Sequence, residues 1–142
     1  MNSSIAIFTV LLVAVSCSKG GASTEPPEGG PHLNNPTDTI PPSLVISTPV
    51  PDQVFQSGST VTVSGRITDD LGLYRGTIRI TQDGTGFLLR EQAYEIHGIL
   101  SYAYSLAQPI TVTSATEYTV TVRFEDHGNN AVSRSVKFKV NP

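Results

Sequence analysis

The chain has 142 residues, with nine Lys and Arg against twelve Asp and Glu, a net charge of −3 and no basic run. That balance provides no electrostatic footprint for nucleic acid or for anionic lipid headgroups. One cysteine excludes an intramolecular disulfide, so a domain of this size has to rest on a single modest apolar core.

Ile5 to Val15 are apolar apart from Thr9. This is the length of a signal-peptide core and well short of the roughly 20 residues a spanning helix needs. The run ends at Ala14-Val15-Ser16-Cys17, which resembles the lipobox of bacterial lipoproteins. The resemblance implies that residues 1–16 are a lipoprotein signal peptide, that cleavage falls before Cys17 and that its thiol carries the lipid. An ordinary secretory signal cleaved near Ser16 or Ser18 is the alternative. A diacylglyceryl group with an added N-acyl chain is enough for stable anchoring, so the expected location is the cell envelope, on the outer membrane and facing outward.

Ser18 to Pro42 is rich in Gly and Pro with scarcely an apolar side chain. Such a stretch cannot offset the entropy of ordering, and residues 17–42 are predicted to be a flexible stalk in which His32 is merely solvated. From residue 43 the period is two, the signature of half-buried strands. Val61, Val63, Gly65 and Ile67 alternate with polar neighbours, as do Tyr74, Gly76, Ile78 and Ile80. Tyr118, Val120, Val122 and Phe124 follow the same rule, then Val136, Phe138 and Val140. Leu44 to Ser47 and Leu100 to Leu106 are shorter, less regular strands, and Phe87 to Ile96 reads equally as a strand or a short helix. Asp-, Asn-, Gly- and Pro-rich turns separate them.

Roughly seven strands joined by short turns predict residues 43–142 to be an all-β, Ig-like antiparallel β-sandwich. Two loops sharpen this. Asp69-Asp70-Leu71-Gly72-Leu73, and the segment from Tyr118 through Val120, Val122 and Asp126 to Gly128-Asn129, resemble the turn between the second and third strands and the sixth strand of bacterial Ig-like domains. The resemblance places Tyr118 at a tyrosine corner, with its hydroxyl tying down the turn before its strand. Lipobox, polar stalk and one such domain together resemble the small surface lipoproteins of Bacteroidota. That likeness implies a location and an architecture, not a ligand.

No GxSxG, HExxH, Walker or Rossmann pattern is present. The best candidate site comes from topology, which brings two inter-strand loops and the start of the first strand to one end of such a sandwich. Asp38, Asp69, Asp70, Asp126, Asn129 and Asn130 would gather there, an oxygen-only donor set suited to calcium. The same residues are ordinary turn formers, so turn chemistry is the competing reading. Zinc through His97 and His127 lacks a third ligand. Tyr94, Tyr102 and Tyr104 are either an exposed ligand face for a sugar or a protein, or the inner face of a sandwich without Trp; the second is preferred for Tyr102 and Tyr104. The sequence reading is therefore a non-catalytic, lipid-anchored binding or accessory module. Its partner is an envelope protein or, alternatively, a surface glycan captured for a nutrient-uptake system, and no nucleic acid is involved.

Overall fold

The computed structural model describes residues Asn35–Pro142. Cys17, the signal segment and the first part of the predicted stalk lie outside them. Eight strands follow in order: β1 (Ser43–Thr48), β2 (Gln53–Gln56), β3 (Thr60–Thr68), β4 (Leu73–Gln82), β5 (Leu88–Glu95), β6 (Ser101–Pro109), β7 (Thr116–Asp126) and β8 (Ala131–Asn141). They form a three-stranded sheet, β1-β3-β6, and a five-stranded sheet, β2-β8-β7-β4-β5, antiparallel except where β2 runs parallel to β8. This is the predicted Ig-like sandwich. Eight strands stand where about seven were expected, because the first crosses between sheets at the cis Thr48–Pro49 bond and is split into β1 and β2. The ambiguous stretch from Phe87 to Ile96 is strand β5, paired along β4 through a turn closed by the Gly86 N–H donating to the Gln82 carbonyl.

The alternating positions named above form the core, except that a bulge at the start of β4 buries Leu73 in place of Tyr74. Val61, Val63, Ile67, Ile78, Ile80, Val120, Val122 and Phe124 are fully enclosed. Two glycines in the inner rows make room for two aromatic rings. Gly65 of β3 faces Tyr104 of β6, and Gly76 of β4 sits between Phe124 and Tyr94. A Cβ on Gly76 would lie 2.1 Å from Phe124 Cδ1; one on Gly65 would lie 2.0 Å from the Val45 carbonyl oxygen and 2.3 Å from the Tyr104 hydroxyl. The Tyr104 hydroxyl crosses that gap and donates to the Val45 carbonyl at 2.8 Å, tying β6 to β1 over the strand between them.

Tyr118 does not form the expected corner. Its hydroxyl makes no hydrogen bond among the described residues, and its ring instead stacks on Phe138 with centroids 5.4 Å apart and planes 15° from parallel. The approach to β7 is fixed elsewhere, by Ser57 Oγ, which donates to the Val112 carbonyl and accepts from the Val112 N–H, both at 2.9 Å.

On the outer face of the five-stranded sheet, Glu125 accepts from Arg75 and Arg123. Burial pushes its carboxyl upward, but the two guanidinium groups outweigh that and hold it below the usual range. A depressed carboxylate stabilises the fold above its unfolded value near 4.5, and this contribution disappears as pH falls through the lower folded value. The melting temperature of a Glu125→Gln variant should therefore lie below that of the parent at neutral pH and converge on it in acid, which a series of melts across pH would show. Gly76→Ala should destabilise by about 1–3 kcal/mol through overpacking against Phe124. At roughly 4–8 °C per kcal/mol for a domain near 100 residues, a thermal melt resolves that loss.

Candidate cation site at the loop end

The β3–β4, β5–β6 and β7–β8 connections converge at one end of the sandwich. Backbone bonds hold them together: the Asp69 N–H donates to the Leu100 carbonyl at 2.9 Å, and the His127 N–H to the Gly72 carbonyl at 3.3 Å. Residues 35–42, predicted to continue the stalk, instead pack here. The Asn35 N–H donates to the His127 carbonyl, and the Asp38 N–H closes a turn onto the Asn35 carbonyl at 3.0 Å. Asn130 Nδ2 donates to the Asp38 carbonyl at 3.1 Å, and Gly128 leaves space for this approach, since a Cβ there would lie 2.7 Å from Asp38 Cβ. Asp38 is consequently only 5% exposed. Its neighbours are polar, so the stretch carries no apolar pattern; the turn-forming Asn-Pro-Thr-Asp run from Asn35 was the readable signal.

Three of the predicted acidic ligands meet. Asp38, Asp69 and Asp70 each place one carboxylate oxygen within 4.8 Å of the others. Asp69 Oδ2 is occupied, accepting from the N–H groups of Leu71 at 3.1 Å and Gly72 at 2.7 Å. Asp38 Oδ1 likewise accepts from the Ile40 N–H at 3.1 Å. The second oxygen of each, Asp38 Oδ2 and Asp69 Oδ1, is buried and has no hydrogen-bond donor among the described residues. Turn chemistry thus accounts for half of each carboxylate and leaves the other half unmatched. Burial raises the Asp69 carboxyl above its usual value, partly countered by its two backbone N–H donors, with the Asp126 and Asp38 charges adding to the rise.

Asp126 and Asn129 do not join this group. Asp126 is fully enclosed, and both its oxygens accept from Asn130, from the backbone N–H and from Nδ2, each at 2.9 Å. Asn129 is exposed and adopts a left-handed backbone (φ 66°), as the turn requires. These two are loop closers because a four-residue turn between β7 and β8 consumes its own polar groups. Their place as ligands is corrected accordingly.

His97 and His127 both lie against the Tyr74 ring, with centroids 4.9 and 4.8 Å from it and 5.6 Å from each other, so the three mutually tilted rings form a cluster. Among the described residues, Asp38, Asp69 and Asp70 make up the single set of three ligand atoms close enough to share an ion.

Two of the three tyrosines proposed as a ligand face are interior. Tyr104 is 1% exposed and Tyr94 is 7% exposed, with the Tyr94 hydroxyl donating to the Ser105 carbonyl at 3.0 Å and burial pushing its pKa up to about 12. Tyr102 is half-buried and meets Tyr94 edge to face. Even-numbered residues of β6 point inward, so Tyr104 lies in the core and Tyr102 packs at its margin, as the preferred reading had it, and Tyr94 of β5 joins them.

No family model matches the chain, and no curated protein is similar to it. Among solved structures, the chain is similar to the CARDB domain of a protein from Pyrococcus furiosus, crystallised in complex with di-metal ions. The identity is 13%, the match covers 68% of this chain and 88% of that one, and the TM-score is 0.41.

Proposed function

We propose that the chain is a non-catalytic binding module of the cell envelope, anchored through a lipidated Cys17 and stiffened at its loop end by Ca²⁺. The observation that carries the cation is the pair of buried, donorless oxygens on Asp38 and Asp69 within a group of three carboxylates. Buried anionic oxygens without donors are costly unless a counter-charge meets them. An all-oxygen donor set selects a hard cation, and a 4.8 Å spread lies within the roughly 4.6–5.2 Å spanned by opposed oxygens bonded to calcium.

Three carboxylates fill only part of a calcium shell, and Asp70, the exposed member, marks the side that is open to water or to an oxygen atom of a partner. Asp38 comes from the chain segment that leads in from the tether, so an ion here also fastens that segment to the sandwich. Of the acidic residues at this end, Asp126 is engaged by Asn130, and Asp38, Asp69 and Asp70 are the candidate cation ligands. Protein recognition is favoured over glycan capture because Tyr94 and Tyr104, needed for a sugar-stacking face, point into the core.

Thermal melts of the full chain with calcium and with chelator test the site. A ligand bound by the native state alone adds about 2.7 kcal/mol at a hundredfold excess over Kd, so calcium should raise the midpoint by several degrees. A double variant, Asp38→Asn with Asp69→Asn, should lose that response yet melt in chelator no lower than the parent, because it also removes like-charge repulsion. Equal midpoints with calcium and chelator for the parent would overturn the site. Cys17→Ser should move the chain from the membrane to the soluble fraction, which fractionation and immunoblotting would detect.

A further inference from the structure

The row beside β8 is only half filled. β2 pairs with Phe138 to Asn141, and the Asp52 N–H adds one bond to the Lys137 carbonyl at 2.9 Å. Above that point the chain has crossed to the other sheet, where β1 pairs with β3 alone. Among the described residues, Ala131 to Val136 therefore have a backbone partner on the β7 side and none on the other. The bonds from Asp52 to Lys137 and from Ser57 to Asn141 show that odd-numbered residues of β8 turn their peptide groups toward the β2 row. By strand alternation, Ser133 and Ser135 present an N–H and a C=O each to the empty continuation of that row.

A groove of about 470 Å³ occupies that continuation, lined by Leu44, Ile46, Pro49, Pro51, Arg134 and Val136 among others. Its floor is apolar, and its one charged side chain is Arg134, which is exposed and engaged in no ion pair or hydrogen bond among the described residues. On the opposite side of the sandwich, the Tyr94 hydroxyl already occupies the Ser105 carbonyl of the β6 edge. An open ladder, apolar depressions for alternate side chains and one unpaired cation are the three features that strand addition uses.

We propose that this groove receives an extended segment of an envelope partner protein, which adds as a strand to β8 at Ser133 and Ser135 and sets a carboxylate against Arg134. The proposal rests on the reading of the chain as a protein-binding module and names the partner's chemistry: about six residues in β conformation, apolar at alternate positions, with an acidic residue between two apolar ones.

The probe is a blocked peptide, Thr-Val-Thr-Glu-Thr-Val-Thr, compared with the same peptide carrying Lys at its centre, each titrated to about 1 mM into the isotopically labelled full chain. Amide shifts should be confined to residues 43–51 and 131–137, hydrogen exchange should slow at Ser133 and Ser135, and the Lys peptide should bind at least about tenfold more weakly. Arg134→Glu, an exposed change whose melting temperature serves as the folding control, should reverse that preference. Ser133→Pro should abolish binding of both peptides. Shifts centred elsewhere, equal affinity for the two peptides, or self-association of the chain through the same edge would each overturn the proposal. Cross-linking to envelope proteins that persists in both variants would overturn the groove while leaving the protein-binding reading intact; no cross-linking by the parent chain, with peptide binding as expected, would overturn that reading instead.

Discussion

The two sheets are held in register by one interlock. Tyr104 from the three-stranded sheet and Phe124 from the five-stranded sheet meet at 5.4 Å, each seated over a glycine of the neighbouring strand. Neither ring fits if Gly65 or Gly76 carries a side chain, because the space of the missing Cβ is what the ring occupies. The same tyrosine reaches over Gly65 to Val45 and so fixes the edge strand β1 to the rest of its sheet. A ring stacked over a strand glycine restores both the packing and the cross-strand contact that a glycine forfeits.

That interlock lies close to the functional end. Gly65 precedes Asp69 by four residues and Phe124 precedes Asp126 by two, so the interlock lies on the two strands that lead into the β3–β4 and β7–β8 connections. The connections then take different roles. The β7–β8 turn closes on itself through Asp126 and Asn130, and Asn130 extends the same network to Asp38. The β3–β4 turn uses only one oxygen of Asp69. What remains is a small, partly dry pocket of negative charge facing outward at Asp70, a state that folding alone penalises and a bound cation relieves.

Much of this fold was legible because strand alternation follows directly from the pleat: the inward positions assigned from the period-two pattern in the third, fourth, seventh and eighth strands lie on the inner side of their sheets, except Tyr74, where a bulge between Leu73 and Arg75 gives the core position to Leu73 and sets the tyrosine against His97 and His127. The convergence of Asp38, Asp69 and Asp70 was legible too, since it needs only the topology of an Ig-like sandwich. Three things were not. The docking of residues 35–42 depends on backbone and Asn130 hydrogen bonds, which leave no periodic mark in a sequence. The loss of Asp126 from the ligand set depends on a turn short enough for Asn130 to reach both its oxygens. The inward direction of Tyr94 is set by register, which pairs it with Gly76 as Tyr104 is paired with Gly65; a glycine opposite an aromatic was the clue, visible only once the strands are paired.

The proposed cation joins residues 35–42 to the β3–β4 turn, and the strand addition proposed at the edge of β8 does not involve it. Diffraction from crystals grown with terbium in place of calcium and recorded at the terbium edge tests the cation site most directly. The account predicts an anomalous peak between Asp38 Oδ2 and Asp69 Oδ1, within bonding distance of Asp70. A map with no peak there, or with ions only on isolated surface carboxylates such as Asp52, would contradict it.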